Sequence, residues 1–276
     1  MGGRQEGTAL RVLIIGAHPD DCDFTAGGLA ALYAERGHCV QLLSLTNGDA
    51  GHHEMGGAPL AWRRRAEAEA AGRVLGAAYT VLDHHDGELM PDLPARRELI
   101  AAIRRFAPDL VLGPRQWDYH PDHRAAAQLM MDAMYLLTVP NVVSDVPHLR
   151  RMPVCALVAD GFQHPEPFVP DVAVDVDAAV ERKIDALACH VSQVYEWLPY
   201  NRNELEQVPA GAAERRAWLG DWYRAMAAPQ AEACRAALVA RYGEARGRRV
   251  RFVEAVAISE YGAQPTAEEI ERLFPF

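Results

Sequence analysis

Residues 11–21, RVLIIGAHPDD, decide how this chain is read. Arg11 to Ala17 is a continuous apolar run, the pattern of a strand buried on both faces of a sheet. His18-Pro19-Asp20-Asp21 closes the run at its C-terminal end, where open α/β sheets build their sites. A second run, Leu110 to Gly113, is followed by a matching string, His120-Pro121-Asp122-His123.

Working outward, strand and helix patterns alternate. Helical spacing of Leu29, Leu32 and Tyr33 predicts a helix over 25–36, with Gly37 as its stop. Strands are expected at 39–45, 79–82 and 110–113, and helices at 59–75, 95–106 and after Asp122. This alternation implies βαβ units, a mostly parallel sheet and an α/β, Rossmann-like fold. Right-handed crossovers put the strand-end loops on one edge, so the His18 and His120 loops should meet. Beyond residue 138 the pattern loosens. Residues 140–153 read as a surface loop, and 154–158, 172–176 and 250–258 as strands. Helices are expected at 177–193, at 214–242 with a break near Pro229, and at 267–274. We read a single domain over 1–276, with a core at about 10–195 and a C-terminal α+β extension from about 196.

Acidic residues outnumber basic ones 38 to 28, a net charge of −10. Such a protein has little attraction for nucleic acid or anionic membrane, and neither is an expected partner. The five cysteines are scattered without a C-x-x-C pair, which argues against a disulfide framework or thiolate zinc site and fits a reducing cytoplasm. Met1 to Thr8 is polar and Gly-rich, without a signal-peptide core.

The two strings bring together imidazoles and carboxylates, good ligands for zinc. Three such ligands and an open position describe a catalytic site. Of two adjacent carboxylates, one can bind metal while the other faces the open position and takes a proton from water. Two histidines three apart, where a loop becomes a helix, can serve metal and substrate separately. Asp122 could hold a histidine tautomer or cap the following helix.

Beyond the strings themselves, Ala17 to Asp21, Thr46 to Gly51, Arg64 with Glu67, and Asp118 to His123 resemble the PIG-L/LmbE-like deacetylases, zinc enzymes that remove acetyl groups from N-acetylglucosaminyl compounds and related amides. The resemblance covers about residues 10–195. It implies that His18, Asp21 and His123 ligate one zinc ion per chain and that Asp20 is the general base. It further implies that His120 stabilises the oxyanion, as imidazolium, or acts as acid, with Asp122 orienting it. The same ligand types also accept Fe(II), Co(II) or Mn(II). Related proteins form homo-oligomers, and the apolar ending Leu273 to Phe276 is compatible with burial at a contact. The chain departs from the pattern at Cys22, where many members carry Glu, and Asp23 follows. Cys22 is read as a small buried side chain. At Asp118 several members carry tyrosine; here Tyr119 adjoins His120.

Other residues are candidates for substrate contacts. Asn47 ends the second strand on the same edge, where a pocket position and a plain turn are equal readings. Arg64 has an intrahelical pairing with Glu67 as its simple account, and the resemblance brings it toward the site. Asp86 follows the third strand as a candidate for sugar hydroxyls, Arg115 for a polar substrate arm, and Tyr119 as a transition-state donor. His52 and His53 read as solvated loop histidines. The aromatic segment around Tyr195 and Trp197 reads as a pocket wall or a subunit contact. The expected function is zinc-dependent hydrolysis of an N-acetyl amide on an N-acetylglucosamine-type sugar. The alternatives are an amidase for a non-sugar N-acyl compound and a non-catalytic metal- or glycan-binding protein.

Overall fold

The computed structural model describes residues 9–276, so the expectation for Met1 to Thr8 lies outside the described residues. The run at 11–17 forms β1 (Arg11–Gly16), and α1 (Asp21–Glu35), β2 (Cys39–Thr46), α2 (Ala58–Leu75), β3 (Ala78–His84), α3 (Leu93–Phe106), β4 (Leu110–Gly113) and α4 (Pro121–Leu136) follow. The next elements are β5 (Val154–Val158), β6 (Val172–Asp175), α5 (Val180–Leu187) and α6 (Leu198–Asn201). The chain ends with α7 (Ala212–Ala233), α8 (Arg235–Gly247), β7 (Val253–Ile258) and α9 (Ala267–Leu273).

These strands form one seven-stranded sheet in the order β3-β2-β1-β4-β5-β7-β6. Pairings from β3 through β5 are parallel, and β7 runs antiparallel between β5 and β6. The fold is therefore α/β with a mostly parallel sheet. β1 shows why it must be covered twice. Val12 and Ile14 pack into one apolar cluster with α1, α2 and α5, while Leu13 and Ile15 pack into another with α3 and α4. That is the period-2 alternation of a strand with both faces buried. The connections run outward from β1 to β3 on one side and from β4 to β5 on the other. The order thus reverses between β1 and β4, and the loops leaving them border the crevice where such sheets bind ligands.

Four expectations change. The first helix begins at Asp21, because the Asp20–Asp21 turn is itself its N-terminus, and it is broken at Ala26 (φ −142°, ψ 22°). The helix expected over 177–193 is α5 alone, preceded by a 3₁₀ turn and followed by a wide turn over Ser192–Trp197. Pro229 sits inside α7, and the break falls later, at Cys234, whose backbone leaves the helical region. The apolar ending is not displayed at a surface: Leu273 and Phe274 are buried in this chain's own core, and the Tyr33 hydroxyl donates to Leu273 O at 2.6 Å. Among the described residues no helix is long and apolar enough to cross a membrane.

The break in α1 is held from a distance. In an unbroken helix the Gly28 N–H would donate to Phe24 O. Here the Gly28 and Leu29 N–H groups donate to the Glu254 carboxylate of β7, at 2.8 and 2.6 Å. Phe24 O instead accepts from Lys183 Nζ of α5 at 2.8 Å, and Lys183 pairs with Glu254 at 2.6 Å. Gly28 permits the approach, since a Cβ there would lie 2.8 Å from Glu254 Oε1.

Candidate active site

The turn after β1 is tight: the Asp20 and Asp21 N–H groups both donate to His18 O, at 2.9 and 3.2 Å. Asp21 is fixed in return, its Oδ2 accepting the Ala17 and His18 N–H groups at 2.8 Å each. The second string arrives at the start of α4, where His120 is the N-cap and His123 lies on the first turn.

The two strings meet. His18 Nδ1 lies 3.2 Å from His123 Nε2, and Asp21 Oδ2 lies 3.5 Å from each of those nitrogens. Tetrahedral zinc with ligand distances near 2.0–2.2 Å has ligand–ligand edges of about 3.3–3.5 Å. The three atoms therefore form one face of a tetrahedron of the right size, and they fit a divalent cation.

Each imidazole is backed by carboxylate on its other nitrogen. His18 Nε2 lies 3.1 Å from Asp86 Oδ1 and 3.3 Å from Asp122 Oδ2, while His123 Nδ1 lies 3.0 Å from Asp118 Oδ2. This arrangement fixes the ring and raises its basicity toward a metal. Two further groups could also ligate, His18 with His120 and His123, and His18 with Asp86 and Asp122. In the latter, Asp122 is fully buried behind His18 and off the cavity wall, its carboxylate accepting the Gly87 and Leu89 N–H groups at 2.6 and 3.2 Å.

The electrostatics ask for positive charge. Burial disfavours a charged His123, but Asp21 and Asp118 outweigh it and lift its pKa to about 10. Burial likewise opposes charge on His18, and Asp122, Asp21 and Asp86 raise it well above the ordinary value. Burial pushes Asp21 up, yet the charge of His123, then His18, holds it well below the usual carboxylate range. A bound cation would displace the two imidazole protons.

Beside the triangle stands Asp20, buried, with Oδ1 accepting from Arg64 Nη2 at 3.0 Å. Its carboxyl is raised, chiefly by burial, with Arg64 opposing. His120 Nδ1 accepts the Asp122 N–H at 3.2 Å, so its neutral tautomer carries the proton on Nε2. Burial, then the charges of His18 and His123, lower its pKa.

The remaining residues sort by geometry. The Asp122 carboxylate backs His18 rather than His120, because the His120 ring turns to cap α4. Arg64 reaches Asp20, Gly48 O and Asp86, and Arg63 is the residue that pairs with Glu67. Asp86 lines the cavity but its oxygens are engaged by His18 and Arg64. Arg115 lines it too, held by Asp160 and Glu166 O. Tyr119, 77% exposed, stands at the mouth edge-on to His120 and His123. Asn47 is not on the cavity wall: its amide donates to Asp83 and its oxygen accepts the Asp49 N–H, so it is a turn residue. His52 is bonded to Glu196 and stacked on His53 rather than solvated. Cys22 is buried, its thiol directed to Ile14 O and Leu43 O. Behind the turn, His190 and Asp23 form a fully buried pair at 3.2 Å.

All this opens into one cavity of about 660 Å³. Its far wall comes from Phe24, Trp197, Leu198, Trp222 and Met226, most of it from α6 and α7. Apart from the aromatic segment at Trp197, that wall is not anticipated from sequence, because the α6 and α7 residues carry no motif. The sequence marks Asp118 as a position where several relatives carry tyrosine, but not as the carboxylate behind His123.

Residues 13–134 match the model of the family described as PIG-L: GlcNAc-PI de-N-acetylase. The diacetylchitobiose deacetylase of Thermococcus kodakarensis is 34% identical over 204 residues, 70% of this chain and 75% of that protein. The 4-oxalmesaconate hydratase of Pseudomonas putida is 29% identical, over 71% of this chain and 78% of its own. The solved N,N'-diacetylchitobiose deacetylase from Pyrococcus horikoshii shares the fold, with a TM-score of 0.70 at 24% identity, covering 95% of this chain and 89% of that one.

Proposed function

The chain belongs to the PIG-L family, and from that membership we propose that it is a metal-dependent hydrolase that removes the acetyl group from an N-acetylglucosamine-type sugar or a conjugate of one. The observation that carries the reading is the triangle of His18 Nδ1, His123 Nε2 and Asp21 Oδ2, with Asp20 and His120 beside it in one cavity. Those three residues would hold zinc, one ion per chain. When bound, the ion supplies a Lewis acid for the amide carbonyl and lowers the pKa of water.

The chain's own groups supply the rest. Asp20, raised by burial and steadied by Arg64, takes the proton of the attacking water. His120 offers its Nε2–H to the developing oxyanion as a neutral donor already oriented by the Asp122 N–H. Asp20 then returns the proton to the leaving amine. The carboxylates of Asp86, Asp122 and Asp118 hold the imidazole planes. A cytoplasmic homo-oligomer completes the proposal. Free cysteines and exposed Trp62 and Leu93 support it, and size-exclusion chromatography tests the assembly.

The test is release of free amine from a panel of N-acetylated sugars, with and without a chelator. Activity is expected, lost on chelation and restored by zinc. Activity that survives full metal removal overturns the reading. Hydration of an unsaturated acid without amine release, the activity named for the Pseudomonas relative, would move the chain to another chemistry.

A further inference from the structure

We infer that Lys183 and Glu254 are positioning residues for the catalytic turn, acting through the break in α1; the inference rests on the metal-site reading above. Both are buried, at 1% and 4% exposure, and both lie in elements far from the two strings in sequence. Their contacts replace what a helix would make internally. The carbonyl of Phe24 ends the first turn and meets an ammonium at 2.8 Å. The N–H groups of Gly28 and Leu29 open the second part and meet a carboxylate at 2.8 and 2.6 Å. The two charges pair with each other at 2.6 Å. Carbonyl, cation, anion and amide thus follow in one line, each with the polarity its neighbour requires.

The consequence is geometric. With its hydrogen bonds taken over by side chains, the first turn is freed from the axis of residues 27–35. Residues 21–25 can then face the crevice while the rest of α1 packs on the sheet. That turn carries Asp21, follows Asp20 and presents Phe24 edge-on to Trp222 on the cavity wall. Gly27 and Gly28 fit this arrangement: a Cβ on either would press on Lys183 or Glu254. An unbroken α1 would carry Asp21 off the orientation that closes the triangle with His18 and His123.

The test compares the parent with a variant carrying both Lys183→Met and Glu254→Gln, which leaves no unpaired buried charge. The metal-free proteins are titrated with cobalt(II), whose absorption reports ligand geometry, and folding is followed by circular dichroism. The folded variant is expected to bind cobalt(II) about tenfold or more weakly, the lower end of the loss seen on removing outer supports of metal ligands. Its cobalt spectrum should change, and kcat should fall while KM for the acetylated sugar stays close to the parent's. A folded variant with parental affinity and spectrum overturns the inference. If the double variant does not fold, Gly28→Ala decides: it keeps both charges, but its Cβ would lie 2.8 Å from Glu254 Oε1 and displace the carboxylate, and cobalt binding should weaken severalfold. Parental affinity in that variant also overturns the inference. A parent that binds no cobalt(II) overturns the metal-site reading itself, a distinguishable failure.

Discussion

The two ends of the sheet contribute to the cavity in different ways. From β3 to β4 the strands are parallel, and the segments after them deliver ionisable groups: Asp20, Asp21 and Asp86 sit within a few residues of a strand end, and His120 and His123 at the start of the helix that follows β4. From β5 to β6 the pattern turns antiparallel, and this end delivers bulk and support. Trp197 comes from the wide turn before α6 and Trp222 from α7, both at the edge of the crevice, and Glu254 reaches from β7 into α1. Chemistry that depends on a few atoms can be held by short loops with local hydrogen bonds. A wall and a helix break need whole elements brought from far along the chain. Substitutions in the first region should therefore change rate or metal binding, and those in the second should change KM or act through geometry.

The largest effect should come from Asp20→Asn. The amide keeps the shape but cannot take a proton, so the rate of amine release should fall by about 10²–10⁴. Metal content, measured on the same protein, should stay at the parental level, because Asp20 is not part of the triangle. A variant that loses metal together with activity would make Asp20 a ligand and blur the division of labour between the two adjacent aspartates.

Asp118→Asn should act on the metal and less on the chemical step. Removing the carboxylate behind His123 should weaken metal binding by about 10- to 100-fold. The pH dependence sharpens this. The raised pKa of His123 means that proton and metal compete, so affinity should climb as pH rises toward about 10 and then level off. Asp118 is one of the groups that raise it; without that carboxylate the proton is held less tightly, and the levelling should come at lower pH. An unchanged affinity profile would remove Asp118 from the site's support.

How much of this could be read from sequence follows the same division. The His18 and His120 strings were legible because each is local and follows an apolar run, and βα alternation puts their loops on one edge of the sheet; the reversal of strand order that sets them side by side is seen only in the structure. The partner of Asp122 was not legible. Whether it backs His120 or His18 depends on how two rings turn, and the His18 ring lies 104 positions away in sequence. Asn47, for which pocket and turn were equal readings, shows another limit: it sits at the right edge of the sheet, but Asp83 and the Asp49 N–H already occupy its amide, which only the structure of the turn reveals. The Lys183–Glu254 pair leaves no sequence signal either. Lys183 lies in an ordinary amphipathic helix and Glu254 in an alternating strand, and only their burial beside Gly27 and Gly28 marks them.

Trp222→Ala should give the smallest effect and the cleanest contrast with Asp20→Asn. Trp222 stands edge-on to Phe24, with its ring under the Arg202 guanidinium at 4.5 Å, so it forms wall and contributes no proton or ligand. Removing it takes away contact that the substrate makes equally in the ground state and the transition state. Such a loss raises KM and leaves kcat in place. Aromatic contacts of this kind contribute about 0.5–1.5 kcal/mol, so KM should rise by roughly 2- to 10-fold. Initial-rate kinetics on whichever acetylated sugar the panel selects would measure it. A fall in kcat with KM unchanged would mean that the wall helps to set the geometry of the reacting amide, and the two ends of the sheet would then no longer divide the work as their architecture implies.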